Sequence, residues 1–200
     1  MSSFDPKIQD KKIESKIVVS LERISEAFRV LLWEEGKKNS LSPIQVQILV
    51  FLLFHPKEKC KVSYLAKEFN MTKATISDSI KALYRKELIR KEDDENDTRS
   101  YTISLSEKGT VIARQSSIFT KPIETTISQL SLTQKEIILE GLLNLITSLN
   151  KADIITIQRM CNTCSNYMFS NNTHYCKLLE LELKTNELRI DCPEHQPTEH

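Results

Sequence analysis

Glycine is scarce in this sequence, and long apolar runs are absent from it. Three glycines in 200 residues leave no glycine-rich loop of the kind that binds phosphates. The longest apolar run, Ile48 to Phe54, is far shorter than the roughly 20 residues that cross a bilayer. The polar N-terminus lacks the apolar segment of a signal peptide. With 40% apolar residues, the composition predicts a compact, mainly helical, cytoplasmic protein with no membrane partner.

The chain as a whole also lacks a surplus of one charge sign, since its formal net charge is +1. Locally the balance is different, because residues 59–91 contain nine Lys or Arg and three Asp or Glu. A basic surplus confined to one segment is typical of a surface that binds nucleic acid. Residues 92–97 hold five acids, which would repel phosphates unless they point away from the DNA backbone or pair with Arg99.

Three helical patterns follow one another from residue 41. Ser42 and Pro43 are typical of a helix start, and this first helix should end before Pro56. Ser63 is predicted to cap a second helix, and Thr72 is predicted to cap a third. Apolar residues in the third helix recur at helical spacing, which predicts a buried stripe. The stripe consists of Ile76, Ile80 and Leu83.

The opposite face of the third helix is small, polar and basic, as a helix that enters a major groove requires. The candidate DNA contacts of this helix are Thr72, Lys73, Thr75, Ser77, Asp78, Lys81 and Arg85. An ordinary solvated helix face has a similar composition, so this helix alone does not establish DNA binding.

A β-hairpin is predicted directly after the third helix. Leu88 and Ile89 lead into a polar run that ends at Ser100, and the alternation from Tyr101 to Leu105 indicates a half-buried strand. The hairpin should have a long flexible tip. Two short helices, a longer helix and a hairpin in this order predict a winged helix-turn-helix, which binds double-stranded DNA.

Amphipathic helices are predicted on both sides of this core. Apolar residues recur every three or four positions from Ile13 to Leu31, which predicts one long helix. After the hairpin, a helical stretch should bend at Pro122, and Thr133 with Glu136 has capping-box spacing for a last helix. The apolar face of that helix consists of Ile138, Leu142, Leu145 and Leu149. The flanking helices either complete a monomeric core or pair with a second chain, and periodicity alone favours neither arrangement.

Several short motifs in the winged segment have characteristic spacings. They are Leu41-x-x-x-Gln45, Ala66, Leu83 before Leu88 and Ile89, Asp97-x-Arg99-Ser100, and Leu105-Ser106-x-x-Gly109. In these motifs the chain resembles the MarR family of bacterial transcription regulators, over roughly residues 10–150. Asp78 departs from the pattern, since many relatives carry a basic or small residue there. An acid at this position can accept from a cytosine amino group or pair with Lys81 or Lys73.

The resemblance implies a mainly α fold with a small β-hairpin wing, in which a winged helix-turn-helix core is combined with N- and C-terminal dimerisation helices. It implies a homodimer on a pseudo-palindromic operator, with the two DNA-binding helices about one helical turn of DNA apart. It also implies that Arg99 enters a minor groove and that Asp97 orients its guanidinium, which agrees with the attraction of arginine to narrow grooves. A small-molecule effector between the dimer helices would be a further partner.

Residues 151–200 differ from the rest of the chain in composition. Four of the five cysteines lie within 32 residues there, and these are Cys161, Cys164, Cys176 and Cys192. The reducing cytosol argues against structural disulfides, and a short segment with few apolar residues needs another source of stability. Four thiolates on one metal ion would supply it, because metal-binding free energy becomes folding free energy. Cys60, far from the others, is interpreted as a small buried residue.

Zinc suits this pattern best, bound by four thiolates or by three plus His195 or His174. An iron-sulfur cluster is the alternative, since Pro193 follows Cys192 as in cluster-binding runs, and metal-free redox thiols are a third interpretation. The domains expected are an N-terminal dimerisation helix, the DNA-binding domain, C-terminal dimerisation helices and a cysteine-rich tail. Their ranges are 1–40, 41–109, 110–150 and 151–200.

The resulting hypothesis is a sequence-specific, dimeric DNA-binding repressor whose metal-bound tail is structural or senses redox state or metal. A thiol- or metal-dependent enzyme and an adaptor that binds partners through the tail are the competing hypotheses. The sequence has no thioredoxin-like context around Cys161 and Cys164 and no His-x-x-x-His motif, and four thiolates leave no open metal position for substrate. We therefore expect that the protein is not an enzyme.

Overall fold

The computed structural model describes residues 2–94 and 97–198, including the side chains of all of these except residues 93–100. Within that part, the chain forms eight α-helices and five β-strands. They belong to two compact units, Met1–Leu65 with Lys73–Ile123 and Ala66–Thr72 with Glu124–His200. The predicted fold class, mainly helical with a winged helix-turn-helix and a small β-hairpin, is confirmed.

The helices and strands follow the chain in a simple order. The helices up to the wing are α1 Pro6–Gln9, α2 Ile13–Lys38, α3 Pro43–Phe54, α4 Val62–Glu68 and α5 Lys73–Arg85. The hairpin strands are β1 Ile89–Asp94 and β2 Asp97–Leu105, and the later helices are α6 Glu107–Ser116, α7 Lys121–Ser128 and α8 Leu132–Lys151. The last strands are β3 Tyr167–Ser170, β4 Thr173–Cys176 and β5 Leu181–Leu183. Among the described residues, none of these helices is both long and apolar enough to cross a membrane.

Apolar side chains from α3, α4, α5 and the hairpin form the core of the first unit. The most deeply buried are Val46, Ile48, Leu49, Leu65, Ile76, Ile80, Leu83, Leu88 and Ile103. The predicted stripe of α5 is confirmed, because all three of its members belong to this set. α3 begins at Pro43 as predicted, where the Ser42 N–H donates to Gln45 Oε1 at 3.2 Å, and it ends at Phe54, before Pro56.

Two predicted helix starts are wrong by one or two residues. α4 begins at Val62, so that Ser63 lies inside the helix instead of capping it. α8 is capped by Ser131, whose Oγ accepts from the Gln134 N–H at 3.3 Å and whose own N–H donates to Gln134 Oε1 at 3.0 Å. Thr133 therefore lies within α8. Two overlapping Ser/Thr-x-x-Gln/Glu patterns occur here, and the earlier one starts the helix.

The predicted bend at Pro122 is a break between two helices. α6 ends at Ser116, residues 117–120 form turns, and α7 begins at Lys121 with the proline in its first turn. A proline there costs no hydrogen bond, because the first N–H groups of a helix have no partner within it.

Two of the three glycines lie where backbone segments approach one another closely. A Cβ atom on Gly36 would lie 2.3 Å from the Leu41 carbonyl oxygen, and one on Gly109 would lie 1.8 Å from that of Leu88. Gly141, on α8, has open space around it. The turns that end helices with a positive φ are made by other residues, namely Ser40, Asn70, Glu87 and Asp153.

The second unit is built around α8 and a sheet that is an addition to the predicted fold. Leu143 of α8 is buried with Met160 and Leu188 in a small apolar cluster. β3, β4 and β5 form an antiparallel sheet in that order. Asn171 and Asn172 join β3 to β4 with φ values of 52° and 58°, as in a two-residue hairpin turn.

Candidate functional site

The turn between α4 and α5 is formed by an asparagine in the left-handed region. Asn70 has a φ of 50°, and the Met71 N–H donates to the Ala66 carbonyl at 2.8 Å, which ends α4 in a Schellman motif. Thr72 then directly precedes α5, at the position predicted for its cap. This geometry gives the helix-turn-helix its sharp corner.

The face of α5 predicted to contact DNA is exposed in the folded chain. Thr72, Lys73, Thr75, Asp78, Lys81 and Arg85 are exposed, and Ser77 is half-buried. The opposite side is fixed by the buried stripe and by Ser79, whose Oγ donates to the Thr75 carbonyl at 3.0 Å. The helix therefore has one face anchored in the first unit and one face available to a ligand.

Asp78 pairs with a neighbour on the same face. Its Oδ1 lies 3.1 Å from Lys81 Nζ, and both side chains are largely exposed. Of the alternatives left open by the sequence, the structure therefore shows the pair with Lys81. An exposed pair of this kind is weak, so Asp78 can exchange its partner for a base without a large penalty.

The hairpin has longer strands and a shorter tip than the sequence predicts. β1 pairs with β2 from Ile89↔Leu105 to Asp93↔Tyr101, and the register shifts before Asp94↔Asp97. Thus β2 already begins at Asp97, within the run that was expected to be a long tip. Paired backbone hydrogen bonds extend into this polar sequence although it has low β propensity.

The predicted wing residues Asp97 and Arg99 lie on β2, and their side chains are outside the described residues. Their roles at the DNA therefore stay predictions. The register nevertheless places both residues in the strand that returns from the hairpin tip.

One acid of the acidic run, Glu92 in the middle of β1, is paired. Lys57 Nζ donates to Glu92 Oε2 at 2.8 Å, and Ser104 Oγ donates to Glu92 Oε1 at 2.7 Å. The hydrogen bond from Lys57 lowers the pKa of Glu92, and the same bond raises the pKa of Lys57. Glu92 therefore remains ionised and neutralises part of the local basic charge.

Lys91 was not among the predicted site residues, although the structure places it beside the recognition helix. Its Nζ lies 4.5 Å from the ring centroid of Tyr101 and 5.4 Å from that of Tyr84, near the end of α5. Two aromatic faces orient the ammonium group without neutralising it. Since Lys91 is exposed, it adds a positioned cation between α5 and the hairpin. Apolar and polar residues alternate only weakly along β1, so the sequence did not indicate which way Lys91 points.

The four tail cysteines converge in the second unit. Cys161 and Cys164 lie in one turn, in which the Cys164 N–H donates to the Cys161 carbonyl at 2.9 Å. Cys176 ends β4, opposite Tyr167 at the start of β3. The Arg189 N–H donates to Cys161 Sγ at 3.3 Å, and the Arg189 guanidinium lies 3.8 Å from Cys192 Sγ.

The four thiols lie close enough to interact electrostatically, although they do not surround a common point as metal ligands would. Burial raises the pKa of Cys161, and negative charge on Cys192, Cys176 and Cys164 raises it further. Among residues 2–94 and 97–198, no three His, Cys, Asp or Glu side chains are arranged so that they could hold one metal ion. The sulfurs would have to draw together to share an ion. All four thiols are free of disulfide bonds.

His174 and His195 of the tail make hydrogen bonds within the second unit. His195 Nε2 lies 3.0 Å from both the carbonyl oxygen and Oγ1 of Thr163, which follows Cys161 in the same turn. His174 Nδ1 lies 2.7 Å from the Tyr167 hydroxyl. These contacts favour four thiolates over a ligand set that includes a histidine through these nitrogens. Cys60 is a separate buried residue of the first unit, as predicted.

The geometry defines a winged-helix protein with an exposed recognition helix, and comparisons with known proteins specify the type. Residues 39–100 match the MarR family model. The sequence has no match among curated proteins.

Solved structures provide the wider comparison. The fold is similar to that of Streptococcus pneumoniae FabT in complex with DNA, with a TM-score of 0.60 and 26% identity over 70% of this chain and 99% of that one. It is similar to the S. aureus MepR-DNA complex, with a TM-score of 0.58 and 26% identity over 66% of this chain and 96% of that one. A MarR transcriptional regulator from Methanosarcina mazei Go1 has the same fold, with a TM-score of 0.58 at 19% identity over 70% of this chain and 98% of that one.

These findings support a MarR-type winged-helix, DNA-binding transcriptional regulator. The matched family consists of transcription regulators and not of enzymes, in agreement with the sequence analysis. The matches extend over about two thirds of this chain and nearly all of the solved structures, so roughly a third of this chain has no counterpart in them.

Proposed function

We propose that the protein is a cytoplasmic, dimeric repressor that binds a pseudo-palindromic operator and carries a metal ion in its tail. The observation that carries the DNA-binding part is the exposed polar face of α5, followed directly by a hairpin with basic residues. A dimer covering an operator excludes other proteins from the same DNA, so repression is the expected outcome. A small-molecule effector remains a prediction.

Dimerisation is supported by apolar faces that the single chain leaves uncovered. α8 buries Leu143 on one side, whereas the predicted stripe of Ile138, Leu142, Leu145 and Leu149 is exposed on another. On α2, Ile13, Ile17, Ile24 and Phe28 are exposed as well. Large contiguous apolar faces on helices are typical of subunit interfaces.

The dimer can be tested at the centre of the α8 stripe. Leu142→Asp should convert the protein to a monomer, measured by sedimentation, because an unpaired carboxylate would be buried in the interface. Phe54→Asp replaces an exposed apolar residue at the end of α3, outside the proposed dimerisation helices, and serves as the control. A Leu142→Asp protein that sediments like the wild type would contradict the proposed interface.

Operator binding can be tested with a DNA duplex selected by the purified protein from a random pool. Arg85→Ala and Arg99→Ala should each weaken binding, and each should reduce the slope of log affinity against log salt by about 1. Lys151→Ala removes an exposed cation at the end of α8, outside the predicted face; it is the control and should leave the salt slope unchanged.

Two results would overturn this assignment. One is wild-type affinity and salt dependence in both arginine variants. The other is a selected DNA without two-fold related half-sites, which would argue against a dimer on a pseudo-palindrome.

The metal ion that we propose for the tail is zinc, bound by Cys161, Cys164, Cys176 and Cys192. An iron-sulfur cluster is the alternative. The support is chemical and topological. A Cys-x-x-Cys turn, a cysteine at a strand end and a cysteine beside Arg159 meet in a unit with a very small apolar core. The Arg189 N–H donates to Cys161 Sγ, and the Arg189 guanidinium lies beside Cys192 Sγ, so hydrogen-bond donors already face two of the four sulfurs.

Metal content and absorption spectra of freshly purified protein test this part. We expect about one zinc ion per chain and no visible colour, whereas charge-transfer bands would indicate a cluster. Cys176→Ser should lose the metal, and Cys60→Ser should keep it, because Cys60 belongs to the other unit. Full metal content in Cys176→Ser, or none in the wild type, would contradict the site.

A further inference from the structure

The segment that follows α8 contacts the turn of the helix-turn-helix. Asn70 Nδ2 donates to the Ile154 carbonyl at 3.2 Å. The Thr156 hydroxyl lies 2.8 Å from Asn70 Oδ1 and also contacts the Lys67 carbonyl. All of these residues belong to the second unit. Both polar atoms of the amide that forms the turn therefore contact the same short segment of the tail.

That segment, residues 154–156, is itself held at the end of α8. The Ile154 N–H donates to the Leu149 carbonyl at 3.0 Å, which closes the last turn of the helix. Asn150 Nδ2 donates to the Ile155 carbonyl at 3.0 Å. The hydrogen bonds to the turn therefore come from a segment whose backbone is already fixed on its other side.

Arg159 makes the strongest connection between the tail and α4. Its side chain is 9% exposed and binds both oxygens of Glu68, the last residue of α4, with Nη1–Oε2 at 2.6 Å and Nη2–Oε1 at 3.1 Å. It also binds both oxygens of Asp191, with Nε–Oδ1 at 2.5 Å and Nη2–Oδ2 at 3.2 Å. One guanidinium thus bridges two carboxylates, a geometry that arginine can adopt and lysine cannot.

The bridge joins a part of the chain that matches the MarR family model to a part that does not. Glu68 and Asn70 lie within the matched residues 39–100, whereas Arg159 and Asp191 lie outside them. The backbone of Arg159 is fixed as well, since it forms an isolated parallel bridge with Asp191. An additional segment of this chain therefore supports a corner that belongs to the DNA-binding fold.

We infer that Arg159 is a positioning residue for DNA binding, which fixes the turn in front of the recognition helix from the tail. Thr72, a predicted DNA contact, belongs to the same compact unit as Arg159 and follows directly on the turn. The inference rests on the proposed operator binding. It does not depend on whether the cysteines bind a metal ion, because the bridge consists of a guanidinium and two carboxylates.

The direction of the effect follows from the ordering of the turn. Residues 66–72 lead without interruption into α5, whose first residue is Lys73. A turn that is already fixed loses less conformational entropy when the protein binds DNA. Removal of the bridge should therefore weaken operator binding. Couplings between two separate sites are typically about 5- to 150-fold in affinity.

The main test compares the operator affinity and salt dependence of full-length variants on the selected duplex. Arg159→Met should bind at least about fivefold more weakly than the wild type. The slope of log affinity against log salt should stay unchanged, because a nearly buried arginine that is paired with two carboxylates releases no counterion from DNA. Lys184→Met removes an exposed cation of the tail and should keep both wild-type values.

Hydrogen exchange of the DNA-free protein provides a readout that general destabilisation would not reproduce. The Met71 N–H donates to the Ala66 carbonyl at 2.8 Å within the turn. In Arg159→Met this amide should exchange faster than in the wild type, because the turn opens locally more often. The amides of α3, which belong to the other unit, should exchange at the wild-type rate.

Milder variants keep the test decisive if Arg159→Met folds poorly. Glu68→Gln and Asp191→Asn each remove one carboxylate charge from the bridge and should weaken operator binding in the same direction. Arg159→Lys should retain only part of the wild-type affinity, because an ammonium group does not bind two carboxylates in a fork. Glu182→Gln alters an exposed carboxylate of the tail, is the control for Glu68→Gln, and should bind like the wild type.

A double-mutant cycle tests whether the two partners act as one connection. Arg159→Met combined with Glu68→Gln should bind the operator about as strongly as Arg159→Met alone, because the second substitution removes nothing that is still in place. Affinity losses that simply multiply would show two independent effects and would contradict a shared role in positioning the turn.

The outcomes separate this inference from the proposed function. Wild-type affinity in Arg159→Met and in Glu68→Gln overturns the inference alone. A salt slope reduced by about 1 in Arg159→Met also overturns it, because the arginine would then contact a phosphate directly. Equal acceleration of exchange in the turn and in α3 would mean general destabilisation and overturns it too. A wild type that binds no DNA overturns the proposed function itself.

Discussion

The two units of the chain are stabilised by different means. The first unit buries a large set of aliphatic side chains from three helices and a hairpin, including Ile48, Ile80 and Ile103. In the second unit, the apolar cluster consists of only Leu143, Met160 and Leu188 with a few half-buried neighbours. The second unit adds a nearly buried arginine with two carboxylates and four converging cysteines.

This difference shows how stability and regulation can be separated in one chain. Burial of aliphatic side chains does not depend on metal ions or oxidants, so the first unit should keep its fold when these change. Thiols and ion pairs respond to metals, oxidants and salt, so the second unit should change its stability with conditions. We expect the two units to respond differently to the same treatment.

Metal removal should produce the largest difference between the units. If zinc is bound, its loss removes about 10–16 kcal/mol of binding free energy from a region with little apolar core, so residues 160–198 should lose their protection. Hydrogen exchange measured with and without chelator checks this. Protection in the first unit should be unchanged, and equal loss of protection in both units would contradict the separation.

Truncation of the apolar core should act on the first unit alone. Ile80→Ala removes a fully buried side chain of α5 and should lower the free energy of unfolding by about 2–5 kcal/mol. Ile118→Ala, at a side chain that is 65% exposed, is the matched control and should change it by less than about 0.5 kcal/mol. Denaturant unfolding followed by circular dichroism measures both. Similar effects of the two substitutions would show that the core is not where the structure places it.

Glycine substitutions should distinguish close backbone approach from open surface. Gly109→Ala places a methyl group against the Leu88 carbonyl and should destabilise the first unit by about 1–3 kcal/mol. Gly141→Ala, in the open middle of α8, should stabilise its helix by roughly 0.5–1 kcal/mol. Thermal unfolding of both variants gives the comparison, and a stabilising Gly109→Ala would be inconsistent with the observed contact.

The smallest effect should come from the buried thiol of the first unit. Burial raises the pKa of Cys60 from 9.0 to about 11, because the thiolate would lose its hydration. Because the pKa is higher in the folded state, ionisation of this thiol does not lower the free energy of unfolding below about pH 9. The free energy of unfolding then decreases as the pH rises toward 11, since the unfolded chain ionises first. Unfolding of the wild type and Cys60→Ala at about pH 8 and about pH 10 isolates this contribution. Equal pH dependence in the two proteins would contradict it.

The pattern of apolar residues was sufficient to predict the first unit. The stripe of α5, the hairpin after it and the buried state of Cys60 all follow from residues whose burial dominates the local free energy. Helix starts were less predictable. Ser63 and Thr133 each lie within two residues of the actual helix start, and the free energies of capping at neighbouring positions differ by only a fraction of one hydrogen bond.

Long-range polar contacts could not be predicted in the same way. Nothing in the sequence around Arg159 indicates a partner 91 positions away, and an ion pair leaves no periodic signal. The β3–β4 hairpin did have a local signal, because two successive asparagines between short apolar strands favour a type I′ turn. That signal was obscured by the low apolar content of the tail.

The left-handed turn residues have a consequence for engineering. Ser40 and Glu87 end helices with positive φ values that glycine adopts without strain, so Ser40→Gly and Glu87→Gly are sites where a thermostable variant could be sought. Asn70 has a similar backbone, yet its amide also holds Ile154 and Thr156. Glycine there would relieve the turn but would also remove the hydrogen bonds that join the turn to residues 154–156. A single backbone conformation therefore has a purely local role at Ser40 and Glu87 and an additional, long-range role at Asn70.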